Sequence, residues 1–276
     1  MKKKLLFLIF AALLPHQLIF ADGNTDPAVE LHSLIIQVGA DIKAGKRTEP
    51  ELSDDLKQFD ALLAEHKGEK TDAVAQILYM KALLYSEVIK DTAKSDALMQ
   101  QLTNDFSGTP FVAKIQQQQV REDAAGKIQA SLVEGAQFPG FNEKDVAGKS
   151  LSIANYKGKV VMIDFWATWC GPCRGEIPNV VATYQKYHDK GFEIIGVSLD
   201  QDSQKLQNFT QENNMTWQQY FDGQGWDNKL AVKYGIESIP MTFLLDGNGK
   251  IIGKNLRGQE LTDAVANAVA NAVAAK

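Results

Sequence analysis

The apolar positions of the chain follow two different rhythms, and the change of rhythm divides it near residue 134. From residue 22 onward they recur at three- and four-residue spacing, as on one face of a helix. Leu31, Leu34, Ile35, Val38 and Ile42 share such a face, and Gly45 ends that segment. Thr48-Glu49-Pro50-Glu51 has the form of a capping box that opens a second helix carrying Leu52, Leu56, Phe59 and Leu63. Thr71 caps a third, with Val74, Ile77, Leu78, Tyr85 and Val88 inward. Leu98, Leu102 and Phe106 mark a fourth, stopped by Ser107-Gly108-Thr109-Pro110, and a fifth runs from Phe111 through the glutamine run to about Leu132. Short connections between such helices predict antiparallel neighbours. A faint hairpin-repeat pattern in Ala75 to Pro110 has no second copy, so an accessory helical domain is predicted rather than a repeat array.

After Gly135 the pattern becomes that of a sheet protein. Ala136 to Phe141 is extended and Leu151-Ser152-Ile153 alternates. Lys159 to Phe165 is a near-continuous apolar run with β-branched residues, the mark of a strand buried on both faces. A helix is predicted after Cys170, a second buried strand at Phe192 to Ser198, and a further helix from about Ser203. Met241 to Leu245 and Lys250 to Gly253 flank the turn Asp246-Gly247-Asn248-Gly249, a hairpin, and the alanine-rich stretch from Leu261 to Ala275 is a final helix. This order predicts an α/β fold, a mixed central sheet flanked by helices, preceded by an all-α domain.

The N-terminus adds a targeting segment. Lys2, Lys3 and Lys4 precede the apolar run Leu5 to Leu14, and Pro15-His16-Gln17 interrupts it before Leu18-Ile19-Phe20-Ala21. This reads as a signal peptide cleaved after Ala21. The alternative, a retained anchor, would need a helix through Pro15, because ten apolar residues are too few to span roughly 30 Å of hydrocarbon. Removing residues 1–21 takes away three lysines and no acid, so the net charge moves from −5 to −8 (−5 − 3 = −8). So acidic a chain is poorly suited to nucleic acid or anionic lipid.

The chain has 2 cysteines, and both lie in Trp169-Cys170-Gly171-Pro172-Cys173, directly after the buried strand. A disulfide framework would scatter several cysteines over a small domain. Cys-x-x-Cys also serves zinc sites, but here there is no second pair, and His16, His32, His66 and His188 have no metal-ligand spacing. No metal and no cofactor beyond the cysteine pair is expected. At the start of a helix, unpaired N–H groups and the dipole favour a thiolate at Cys170, and Cys173 falls one turn later on the same side. Asp164 stands between Ile163 and Phe165 in the apolar run, which predicts burial and a raised pKa, although an ordinary strand-end acid is the plainer alternative. Glu176 is either a functional acid or mere compensation of the helix dipole.

Asp164-Phe165-Trp166-Ala167-Thr168-Trp169-Cys170-Gly171-Pro172-Cys173-Arg174, followed by Glu176-Ile177-Pro178, resembles the thioredoxin superfamily and within it the TlpA/ResA-like extracytoplasmic thiol-disulfide proteins. Gly191 to Asp200 and Tyr234-Gly235-Ile236-Glu237-Ser238-Ile239-Pro240 extend the likeness, which begins at about residue 134; residues 22–133 lie outside it. The domains expected are therefore a signal peptide at 1–21, a helical accessory domain at 22–133 and a thioredoxin-like domain at 134–276. The resemblance implies that Cys170 and Cys173 exchange electrons with protein disulfides. It further implies that Asp164 is the buried acid behind Cys173, that Glu176 is the acid such proteins carry after the pair, and that Ile239-Pro240 is a cis-proline junction. Ile239, Pro240, Trp169, Gly171 and Pro172 would then form the substrate-binding surface, and Pro178 would break the hydrogen-bond ladder of the active-site helix.

Gly171-Pro172 is the dipeptide of reducing members, near roughly −270 mV rather than about −120 mV. The expectation is a reductase in the periplasm or a similar compartment, serving apocytochrome cysteines in cytochrome c maturation or repairing wrong disulfides. The resemblance implies recharging by a membrane electron donor of the DsbD/CcdA type. An isomerase or oxidase is the alternative. A thiol peroxidase is a weaker one, since Thr168 stands two residues before Cys170 and not three. The helical half is expected to bind substrate or to mediate homo-oligomerisation.

Overall fold

The computed structural model describes residues 26–274. The segment read as a signal peptide, with its cleavage point after Ala21, lies outside the described residues. No helix among the described residues is long and apolar enough to cross a membrane. The described residues divide into two compact units, with the boundary between Gln119 and Val120.

The first unit is helical. Asp26 caps α1 (Pro27–Lys43) by accepting from Ala28 N–H at 2.9 Å. The helix α2 (Ser53–Glu65) begins later than the Thr48–Glu51 box predicts. Glu51 does accept from the Thr48 N–H and hydroxyl, but the box closes a turn ahead of the helix, and Leu52 becomes the N-cap. Thr71 caps α3 (Asp72–Leu83), which runs on as a π-helical stretch over Leu84–Ile89 and stops at left-handed Lys90. Next come α4 (Thr92–Asp105) and α5 (Pro110–Ser131), the latter reaching past Gln119 into the second unit. Leu31, Leu34, Ile35 and Val38 pack with Leu52, Leu56, Phe59 and Ile77 in one core cluster, and Val74, Leu78, Leu102, Phe106 and Val112 form another. Burial of each such side chain contributes about 1.5–3 kcal/mol before conformational entropy is subtracted.

The second unit is built around a five-stranded sheet. A small antiparallel pair, β1 (Asn142–Lys144) and β2 (Ser150–Ser152), precedes it. The sheet contains β3 (Val160–Trp166), β4 (Phe192–Ser198), β5 (Gln218–Tyr220), β6 (Met241–Leu245) and β7 (Ile251–Lys254), in the order β5-β4-β3-β6-β7. Strands β3, β4 and β5 run parallel, β6 pairs antiparallel with β3, and β7 pairs antiparallel with β6. Every residue of β3 and β4 is buried, as their near-continuous apolar runs predict, Asp164, Glu193 and Ser198 included. The helices α6 (Gly171–Tyr187) and α9 (Gly258–Ala274) pack on one another, α6 against β4 and α9 against β3. Two further helices, α7 (Ser203–Glu212) and the short α8 (Lys229–Lys233), lie in the connections. The last residues of α5 belong to this unit. Leu132 just beyond it is in the core, and the backbone of Ala125 lies so close to Gly235 that a Cβ there would come within 2.6 Å of the Ala125 carbonyl oxygen.

Candidate active site

The site forms where β3 ends and α6 begins. The turn between them is pinned by Asp200, a buried carboxylate that accepts from the Thr168 N–H at 3.1 Å and from its hydroxyl at 2.6 Å. The Ser198 hydroxyl also donates to Asp200, at 2.8 Å, so the ends of β3 and β4 are held at one height. Trp166, the last residue of β3, donates its indole N–H to Gln219 at 3.0 Å. Out of this anchored turn Cys170 emerges as the N-cap of α6.

Cys170 and Cys173 are joined in a disulfide with a Cα–Cα separation of 5.3 Å. The Cys173 N–H points at Cys170 Sγ, 3.2 Å away. On reduction that same N–H, with the positive end of the helix dipole, would stabilise a Cys170 thiolate. Gly171 and Pro172 are exposed, whereas both cysteines are largely covered. Trp169 is 53% exposed and stands 6.0 Å from exposed Trp226, ring centre to ring centre. The carbonyl of Trp226 accepts from Arg121, which also pairs with Asp227. The Ile239–Pro240 peptide bond is cis, and both residues are half-buried at the head of β6.

Behind the disulfide lies a cavity of about 10 Å³, on the order of the room one water needs. Asp164, Cys173, Glu176, Pro240, Thr242 and Arg257 are among its lining residues. Asp164 sits in mid-β3, in register with Gly196 of β4 and Thr242 of β6. Burial pushes its carboxyl up to about 7; the Arg257 charge opposes the rise and the Glu176 charge adds to it. Glu176 is half-buried on α6 and accepts from the Gly258 N–H at 2.6 Å and from Asn179 at 2.7 Å. It therefore ties α6 to the start of α9 as well as facing the cavity. The helix continues through Pro178.

The structure thus brings Cys173, Asp164, Glu176 and Pro240 around one cavity, with Cys170 held there by the disulfide, exposed Trp169, Gly171 and Pro172 next to the cysteines in the chain, and half-buried Ile239 across the cis bond from Pro240. The sequence reading left out Arg257, Thr242, Trp226 and the anchoring role of Asp200. Arg257 sits in the connection ahead of α9 and Trp226 in a single 3-10 turn over Gly225–Asp227, both too short to show a period, and only the fold delivers them to the site.

A thioredoxin-type sheet with a helix-capping disulfide defines the class, a thiol-disulfide oxidoreductase. Residues 135–254 match the AhpC/TSA family. The chain is 33% identical over 126 residues to the thiol-disulfide oxidoreductase ResA of Bacillus thuringiensis subsp. konkukian, covering 46% of this chain and 70% of that protein. With ResA of Bacillus subtilis it shares 31% over 128 residues, 46% of this chain and 69% of the relative. The solved thioredoxin domain of a thiol-disulfide oxidoreductase from Bacteroides vulgatus is 35% identical, with 50% of this chain and 99% of that domain covered at a TM-score of 0.47. The chain belongs to the ResA/TlpA-like thiol-disulfide oxidoreductases.

Proposed function

We propose that the chain reduces disulfides of other proteins through Cys170 and Cys173. The observation that carries this reading is the placement of the pair at the head of α6 with buried Asp164 on the same cavity as Cys173. In the reduced protein the Cys170 thiolate attacks a substrate disulfide, forming a mixed disulfide and releasing one substrate thiolate. Cys173 gives its proton to Asp164, and its thiolate then attacks Cys170 Sγ. The bond to substrate breaks, the second substrate sulfur leaves as a thiolate, and the Cys170–Cys173 disulfide forms. Two electrons have passed from the pair to the substrate.

Trp169, Gly171, Pro172, Ile239 and Pro240 provide the surface on which a substrate chain lies, and Glu176 modulates the acid behind it. Export to the bacterial periplasm rests on residues 1–21. There a reductase must be recharged, for which a membrane donor of the DsbD/CcdA type is the partner proposed, with apocytochrome cysteines as a fitting substrate class. Gly171-Pro172 supports the reducing direction. Residues 22–133 are proposed to recruit substrate or to join two copies of the chain.

The test is the reduction potential of the mature protein in glutathione buffers, with Cys170→Ser as the control. A value near roughly −270 mV is expected, and one near about −120 mV would replace the reductase by an oxidase or isomerase.

A further inference from the structure

The cavity behind Cys173 has one cationic wall. Arg257 precedes α9, and three hydrogen bonds fix its guanidinium. One Nη1 hydrogen-bonds Thr242 Oγ1 at 3.0 Å and the Leu256 carbonyl at 2.7 Å; Nη2 donates to the Pro240 carbonyl at 2.8 Å. Thr242 lies opposite Asp164 in the β3–β6 ladder, and Pro240 follows the cis bond at the surface. One side chain therefore spans from the substrate-facing loop to the strand that flanks the buried acid. The titratable or charged groups around the cavity are Asp164 from β3, Cys173 and Glu176 from α6, and Arg257 ahead of α9.

The charge balance matters because Asp164 has conflicting duties. To accept the Cys173 proton it must be ionised when the mixed disulfide forms. Burial and the Glu176 carboxylate both oppose that ionisation, and Arg257 is the counterweight. The hydrogen bonds to Pro240 and Thr242 keep the guanidinium beside the cavity instead of letting it swing into solvent, where water and salt would screen it.

We propose that Arg257 is the positioning residue of the resolving step, holding a positive charge against Asp164 so that the carboxylate can take the proton of Cys173. This rests on the reading of Asp164 as that proton acceptor. The step balances as written above: the proton moves from Cys173 Sγ to the Asp164 carboxylate, the new sulfur–sulfur bond replaces the one to substrate, and the substrate thiolate is protonated by water. Asp164 afterwards releases its proton to solvent.

The experiment is a single-turnover assay with the reduced full-length mature protein and insulin as the disulfide probe. Resolution of the mixed disulfide is followed by acid quench and mass spectrometry from roughly pH 5 to 9. Wild type, R257Q, R257K and D164N are compared. The acid limb of the resolving rate is expected to move up by about one pH unit in R257Q, which makes resolution at pH 6 about tenfold slower. R257K, which keeps the charge, is expected to return the limb close to that of wild type, and D164N to abolish it. If D164N abolishes the limb and R257Q leaves it in place, the role of Arg257 is overturned while the proton-acceptor reading stands. If D164N retains the wild-type limb, both fall. Should R257Q fail to fold, Glu176→Gln replaces it: losing the charge that opposes Arg257 is expected to move the limb down, and an unmoved or raised limb overturns the charge balance.

Discussion

Asp164 costs the fold stability, and the sign of the effect can be worked out. Its carboxyl is pushed up to about 7 in the folded oxidised protein from an ordinary 3.8. The folded state therefore holds a proton that the unfolded chain gives up, so its contribution is fully present below about pH 4. It is lost as the pH rises toward 7 and stays lost above that. A displacement of roughly three units corresponds to about 4 kcal/mol. Asp164→Asn is thus expected to stabilise the oxidised protein by a few kcal/mol at pH 8 and by little at pH 4, as read from urea unfolding. Equal effects at both pH values would show that the carboxyl is not titrating in the window assigned to it. An acid kept at such a cost in mid-strand was legible in the sequence, because it breaks an apolar run. Arg257 was not legible, since an arginine beside a glycine has a local environment like any other; its meaning comes from hydrogen bonds to Pro240 and Thr242, two residues brought there by the hairpin.

At the scale of elements, the strongest local patterns were read with least error. The strands β3 and β4 and the helix between them fall where near-continuous apolar runs and the cysteine motif place them. By contrast β5, with 3 residues, and α8, with 5, are too short to show a period and leave no mark in the apolar pattern. The start of α2 was displaced because Thr48 and Glu51 satisfy each other in a turn that ends before the helix proper. The last part of α5 carries a consequence that periodicity could not reveal. Gly235, which opens the approach to Pro240, has φ +62°, and a Cβ there would come within 2.6 Å of the Ala125 carbonyl oxygen. A side chain there would suffer both the left-handed backbone and a collision with a main chain that cannot rotate away. Gly235→Ala is expected to destabilise this unit by roughly 2–5 kcal/mol in urea unfolding. A loss under about 1 kcal/mol would mean that α5 does not press on the loop leading to the cis-proline.

For the whole molecule, the two units close their own cores and carry different titrating groups. The buried clusters of the first draw on residues between Leu31 and Val112, that of the second on residues between Leu132 and Val269. In the helical unit His66 is 2% exposed, hydrogen-bonded through Nδ1 to Glu69 and through Nε2 to Glu30, each at 3.1 Å. Burial alone would lower this imidazole, but the two carboxylates outweigh it and the pKa is raised above 6.5. A raised histidine contributes stability that is fully present below its unfolded value and is lost as the pH climbs through the folded one. The helical unit should therefore weaken above about pH 6.5, whereas the redox unit weakens between about pH 4 and 7 and then levels off. Calorimetry across this range is expected to show two transitions with these separate slopes. His66→Gln should flatten only the first above neutrality, and Asp164→Asn only the second below it. A single transition whose slope responds to both substitutions would show instead that the units unfold as one, the two proton linkages adding in one free energy.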